Sequence, residues 1–348
     1  MTDTAKLQKN IQTILSPSRG ILAADESSGT IKKRLDTINV ECTEENRRVY
    51  RNTLFTTPGF GDHISGVILF DETIDQKDDA GKTFSELIAS AGAVPGVKSD
   101  QGKAEHPAFP PQTLTKGLEG HAERLDDWMA RSNNTLGFTK WRQVILVEPN
   151  PPQEFLDEAM DVLAEQAKVA LEHGYVPINE PEVLMDGTHT LEQCADVTER
   201  TLKALYRKCE EKGVDISLTI LKPNMILSGK NLKTDSPEEV AEATIAVFEK
   251  SVPKEMPGIV FLSGGQTPVQ ATENLNAINM LAKERGCPWT FSYSYGRALQ
   301  EDAIKAWAGK VENIPAAQSA LSHRATMNGA AEEGKWTKEM ENVTAGVA

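Results

Sequence analysis

Cysteine is scarce in this 348-residue chain: its four thiols, Cys42, Cys194, Cys209 and Cys287, stand far apart with no CxxC pair. A disulfide framework is excluded, and the thiols read as reduced and structural. The six histidines never come at the HExxH or HxH spacing of paired ligands, so a catalytic zinc has no support and metal-free chemistry is expected. No apolar run nears the roughly 20 residues that cross a bilayer. The opening MTDTAKLQKN lacks the apolar segment of a secretory signal, so the cytoplasm is the expected compartment. Positive charge is also short: 37 Lys and Arg against 51 Asp and Glu leave a net charge of -14, which repels nucleic acid and anionic lipid.

What is present fits an ordinary enzyme, with 39% apolar residues to bury a sizeable core. No Pro/Gly/Ser-rich linker interrupts it, so one domain over 1–348 is expected. Short apolar runs recur at 20–25, 65–70, 95–100, 141–147, 176–180, 216–222, 258–263 and 291–297, giving eight candidate strands. Helical patterns lie between most of them. Ser236-Pro237 with Glu239 reads as a capping box, Thr267-Pro268 opens a long helix, and Leu156, Met160, Leu163, Ala167 and Leu171 share one helical face ending at Gly174. Strands alternating with helices imply a parallel sheet, and eight such units close into an α/β (β/α)8 TIM barrel. A doubly wound open sheet is the rival, but no GxGxxG follows the first strand. From about Glu332 to Ala348 apolar periodicity is lost, and a mobile tail is expected.

Charges interrupt the strand ends: Asp25 and Glu26, Lys98 and Asp100, Lys140 and Arg142, Glu180 and Glu182, Lys222, and Arg297. In a barrel those ends converge on one mouth. Lys222 follows the apolar ISLTIL and precedes Pro223, which holds the lysine backbone extended. A nucleophilic amine must lose its proton more easily than a free lysine. Burial, with Lys98 and Lys140 as neighbouring cations, would lower its pKa toward the roughly 7–8 useful for imine formation. Glu180 and Glu182 are two apart in an extended segment, so both face one way. Mutual repulsion would raise one pKa and make a proton shuttle; both could also be salt-bridged to Lys140 and Arg142, and the two readings can hold together.

Two anion sites flank the amine. The LSGGQ turn brings Ser263, Gly264 and Gly265 to the start of a helix, where backbone N–H groups can approach an anion. Ser294, Gly296 and Arg297 end the next strand beside it. After the first strand, Ser27, Ser28, Thr30, Lys33 and Arg34 suffice for a second anion. Elsewhere, EENRRVYR (44–51) reads as a solvated helix face, Trp141, Trp289 and Trp307 as core, and His189 as a loop residue.

The motifs ILAADES (21–27), NRRVYR (46–51), GVILFDET (66–73), GVKSDQG (96–102), KWR (140–142), VPINEPEVLMDGTH (176–189), ILKPN (220–224), FLSGGQ (261–266) and SYGRALQ (294–300) closely resemble those of class I fructose-bisphosphate aldolase. The likeness runs in order from about residue 5 to 330. It implies reversible cleavage of a phosphorylated ketose, fructose 1,6-bisphosphate, into two triose phosphates through a lysine Schiff base, with no cofactor or metal. It implies that Lys222 forms the imine, that Glu180 is the acid/base of carbinolamine formation and dehydration, and that Asp25 moves the C4 hydroxyl proton. Lys140 and Glu182 would support charge around the imine. Ser263, Gly264, Gly296 and Arg297, with Ser294 close by, match the C1-phosphate side; Ser27, Thr30 and Lys98 match the C6-phosphate side, and Arg34 serves the phosphates. Gly265 and Arg142 join them as substrate-binding candidates. A homotetramer is implied as well. Many animal members end in a tyrosine that helps protonate the enamine, whereas this chain ends ENVTAGVA. An imine aldolase for sedoheptulose bisphosphate would use the same residues. A non-enzymatic scaffold would be favoured by loss of Lys222, Glu180 or Asp25, and all three are present.

Overall fold

The computed structural model describes residues 3–342. Eight parallel strands close into a barrel: β1 Gly20–Ala24, β2 Ile64–Leu69, β3 Val94–Lys98, β4 Phe138–Ile145, β5 Val176–Val183, β6 Ile220–Leu221, β7 Gly258–Phe261 and β8 Thr290–Tyr295. Each pairs with its successor, and β8 returns to β1 through Ile21↔Ser294 and Leu22↔Tyr295. Closure removes both sheet edges, which settles the choice against an open sheet. A short antiparallel hairpin, Lys103–Glu105 with Thr113–Thr115, stands outside the barrel.

Alternation along the strands sorts side chains into two layers. Ile21, Ala23, Ile68, Phe138, Val176, Ile178 and Val260 form an inner cluster, while Leu22, Ala24, Val67, Leu69 and Val97 belong to the larger cluster shared with the helices. Phe138 fills space that glycines leave open: a Cβ on Gly66 would lie 3.3 Å from its ring, and one on Gly96 would be closer still. Helix Thr4–Ile14 seals the N-terminal end, because Leu7, Ile11 and Ile14 join the inner cluster. The C-terminal strand ends are left as the open mouth.

The helix signals stand where the spacing puts them. Ser236 and Thr267 cap helices Pro237–Ser251 and Pro268–Arg285 with reciprocal bonds to Glu239 and Gln270, and helix Gln153–Glu172 buries Leu156, Met160, Leu163 and Ala167. Trp141, Trp289 and Trp307 are core, as expected. His189 is a loop residue, but a buried one whose ring nitrogens lack partners.

Three expectations need correction. The run 216–222 is mostly not strand: the Asp215 side chain accepts from the Ser217 N–H and winds Ile216–Leu218 into a 3-10 turn, leaving two residues for β6. EENRRVYR is not a solvated face, because its charges pair across the fold. Arg47 and Arg51 both grip Glu72, at 2.6 and 2.7 Å, and Tyr50 and Arg51 are fully buried. Part of the expected mobile tail is docked. Helix Ile314–Glu332 is followed by buried Trp336 and a 3-10 turn, Lys338–Asn342, where Glu341 accepts from Arg324 at 2.9 and 2.8 Å and from the Trp336 indole at 3.0 Å. Residues 343–348, the rest of that stretch, lie outside the described residues.

At the closed end Glu332 is buried near Arg19 and Ser292, with Oε2 unpartnered. Burial first, and Glu333 second, push its pKa from 4.5 up to about 9. The unfolded chain releases this proton near pH 4.5 while the folded one keeps it, so stability is fully present below that value and falls as pH rises toward 9. Glu332→Gln is therefore expected to stabilise the protein by on the order of 3 kcal/mol at pH 7, with no gain near pH 4. Urea unfolding at both pH values checks this, and an equal effect at both would refute it.

Candidate active site

The mouth holds a cavity of about 1070 Å3, lined by every candidate substrate or catalytic residue named from the sequence except Ser28 and Lys33, which do not reach it. At its floor four charged side chains meet. Lys140, from β4, places Nζ 2.7 Å from Asp25 Oδ2, just past β1, and 3.0 Å from Glu180 Oε2 in β5. Lys222, which extends β6 by donating its N–H to the Asn179 carbonyl at 2.7 Å, places Nζ 3.2 Å from Glu180 Oε1. All but Asp25 are nearly inaccessible to water. Glu180 Oε2, although close to Lys140, accepts no aligned hydrogen bond.

Burial would raise the pKa of Asp25, but Lys140 and then Lys222 hold it well below the usual carboxylate range. The same contest lowers Glu180: burial opposes, and Lys140, Lys222 and Arg142 prevail. Burial would lower the pKa of Lys140, yet Asp25 and Glu180 push it above the ordinary lysine value. These directions correct two expectations. Glu180 is not raised by Glu182, because each has its own cation: Glu182 pairs with Arg142, and Glu180 lies between two lysines. The reading with both glutamates salt-bridged is the one that holds. Lys98 does not serve as a free cation either; it is turned to Asp100, bonding its carboxylate and its carbonyl.

The anion-binding candidates ring this floor. Ser263 to Gln266 form a turn after β7 with Gly265 at φ +75°, a conformation glycine adopts without strain, and a Cβ there would strike the Met185 sulfur. Arg297 opens helix Arg297–Trp307 and donates to the Gln266 carbonyl at 2.9 Å. A Cβ on Gly296 would come within 3.3 Å of the Arg34 guanidinium, so the lack of a side chain brings Arg34 and Arg297 to one side of the mouth. Ser294 is buried with its hydroxyl unpartnered, and the Ser27 and Thr30 hydroxyls are 3.2 Å apart.

Other lining residues were given no role from the sequence, Glu26 appearing there only as a strand-end charge. Glu26 bonds Arg34 at 2.8 Å and Gln300 at 2.9 Å, fixing the guanidinium from behind. Asp186 and Lys230 pair at the rim, from the segments after β5 and β6. A lysine nine residues past a strand end has no periodicity to mark it. Among the described residues no three His, Cys, Asp or Glu side chains gather as a metal ion would need.

A barrel whose mouth sets an enclosed lysine among carboxylates, between oxyanion-binding turns, has the build of a lysine-dependent (β/α)8 lyase. The family model for "Glycolytic: Fructose-bisphosphate aldolase class-I" matches residues 6–347, and the chain belongs to that metal-independent family. It is 44% identical over 332 residues to the cytoplasmic isozyme of fructose-bisphosphate aldolase from Spinacia oleracea, covering 95% of this chain and 92% of the relative. It is 45% identical over 339 residues to fructose-bisphosphate aldolase of Echinococcus multilocularis, covering 97% and 92%. A co-crystal structure of fructose-bisphosphate aldolase from Plasmodium falciparum with TRAP and a small-molecule inhibitor superposes with a TM-score of 0.92 at 39% identity, covering 96% of this chain and 95% of that one.

Lys140 is the shared cation of two buried carboxylates, so Lys140→Met should cost about 3–5 kcal/mol at pH 7. Depressed carboxylate pKa values contribute stability above pH 3.8–4.5 that is lost as pH falls through the folded values, so the penalty should shrink toward pH 3. Denaturant unfolding of both proteins across that range tests the expectation.

Proposed function

We propose that this chain cleaves fructose 1,6-bisphosphate reversibly to dihydroxyacetone phosphate and glyceraldehyde 3-phosphate, the reaction of its glycolytic family, and that Lys222 is the amine that forms the Schiff base. The observation that carries this reading is the 3.2 Å approach of Lys222 Nζ to Glu180 Oε1, with Lys140 and Asp25 completing the cluster. Glu180 accepts the proton that Lys222 must lose before attacking the C2 ketone. It then returns a proton to the carbinolamine hydroxyl, which leaves as water. The resulting iminium is an electron sink. When the C3–C4 bond breaks, its electron pair moves to the imine nitrogen as an enamine, and the C4 hydroxyl gives its proton to Asp25 as the aldehyde forms. Protonation at C3 and hydrolysis release dihydroxyacetone phosphate and free Lys222.

Lys140 keeps Asp25 and Glu180 ionised, as proton acceptors must be, and Glu182 orients through Arg142. Ser263, Gly264, Gly265, Ser294, Gly296 and Arg297 take the C1 phosphate, and Ser27, Thr30, Lys98 and Arg142 the C6 phosphate, with Arg34 serving both. Anchoring both ends turns remote binding energy into alignment of C2 with the amine. A single barrel domain, a homotetramer and a cytoplasmic location complete the reading. Relatives in spinach and Arabidopsis thaliana are named cytoplasmic or cytosolic isozymes, and no described helix is long and apolar enough to cross a membrane.

Borohydride reduction in the presence of dihydroxyacetone phosphate should trap an adduct on the Lys222 peptide, and Lys222→Met should reduce cleavage to background. An adduct on another lysine would overturn the assignment. Glu180→Gln should lower kcat by about 10²–10⁴ with a much smaller change in KM, read in a coupled triose phosphate assay.

A further inference from the structure

Behind the Gly264–Gly265 turn lies a second cavity of about 320 Å3. Its walls are the segment after β6, the first turns of helix Pro268–Arg285, and Met185. It shares only Gly265 and Lys230 with the mouth.

Gln266 is the residue that packing leaves unexplained. It lines this cavity and is only 4% exposed, and its Oε1 accepts from Asn274 Nδ2 at 2.7 Å, yet its Nε2 has no partner. A buried amide left unpaired costs about 1–3 kcal/mol, and a ligand oxygen would remove that cost. Two half-exposed ammonium groups stand at the cavity edge. Lys233 is 3.0 Å from Asp235 and 3.3 Å from Glu239, and Lys230 pairs with Asp186. The Lys230–Asp186 and Lys233–Glu239 pairs are exposed on both sides and contribute little, so an incoming oxyanion can replace those two carboxylates. Asp235 is buried and stays bound to Lys233 and to the Ser228 N–H at 2.6 Å and hydroxyl at 2.8 Å, and the other N–H groups of the Lys233 ammonium turn to the ligand. Glu273 supplies a hydroxyl acceptor elsewhere on the lining.

We propose that this cleft is a second ligand site for a small hydroxylated oxyanion of about three to six carbons, its phosphate or carboxylate held by Lys230 and Lys233 and an oxygen taken by Gln266 Nε2. The site is coupled to the mouth. The Gln266 carbonyl holds Arg297, and Met185 packs against Gly265 where no Cβ fits, so a ligand fixing Gln266 also fixes the turn and the guanidinium. By linkage, whatever the cleft ligand does to mouth affinity, mouth occupancy does to the cleft ligand. None of this requires Lys222 to be the reacting amine.

The test uses the full-length protein saturated with hexitol 1,6-bisphosphate, which has both phosphates but no carbonyl and fills the mouth. Calorimetric titration with glycerol 3-phosphate and, separately, with citrate should show one-to-one binding of at least one probe, and the pair, one with a phosphate and no carboxylate and the other the reverse, tells a phosphate ligand from a carboxylate one. Lys233→Met, outside the mouth, should weaken that binding at least tenfold while leaving hexitol bisphosphate affinity unchanged in the absence of the probe. Gln266→Glu, which keeps the shape but replaces the free donor with an anion, should weaken it similarly. Failure of both probes to bind once the mouth is filled, or binding indifferent to Lys233→Met, would overturn the proposal.

Discussion

Four clustered charges at the barrel floor, three of them buried, set the terms for everything around them. Asp25 and Glu180 bring two negative charges, and Lys140 and Lys222 bring two positive ones, within 2.7–3.2 Å contacts. Desolvating any of them alone would cost several kcal/mol, so the cluster is tolerable only as a neutral whole. That balance explains why burial does not win: Asp25 and Glu180 stay ionised and Lys140 stays charged. The same balance limits evolution at the site, because deleting one member strands its partners.

The rest of the barrel serves to hold those four groups still. Lys140 and Glu180 belong to adjacent strands, in a register that pairs Lys140 with Ile178 and Arg142 with Glu180, so the two cations of β4 and the two anions of β5 are offset by one inward step. Lys222 is fixed by its backbone bond to Asn179, one residue before Glu180. Below them the inner cluster and the helix Thr4–Ile14 fill the barrel completely enough to leave one open end. A net charge of -14 repels a sugar bisphosphate at long range. The mouth itself gathers Arg34 and Arg297 beside the glycine turn after β7, with Lys98 and Arg142 close by but paired to Asp100 and Glu182.

The glycine turn after β7 separates two cavities. Gly265 has a mouth on one side and a cleft on the other, and the peptide that follows it is held by Arg297. A turn with two faces can report the occupancy of one cavity to the other without any large motion, since the coupling runs through one carbonyl and one sulfur contact.

The sequence by itself determined the barrel and the membership of the site. Eight apolar runs at even spacing, capped helices between them and charges at the strand ends are local features, written in neighbouring residues, and they point all the named candidates but Ser28 and Lys33 to one mouth. Only the tertiary structure decided who pairs with whom. That Glu182 takes Arg142 while Glu180 takes two lysines, that Arg47 and Arg51 of an apparently solvated helix hold Glu72, and that Glu341 ties down part of an expected tail depend on partners from 17 to 42 positions apart in the chain. Electrostatic energy follows distance in space, and chain spacing says nothing about that distance once the contact lies beyond a single helix or strand.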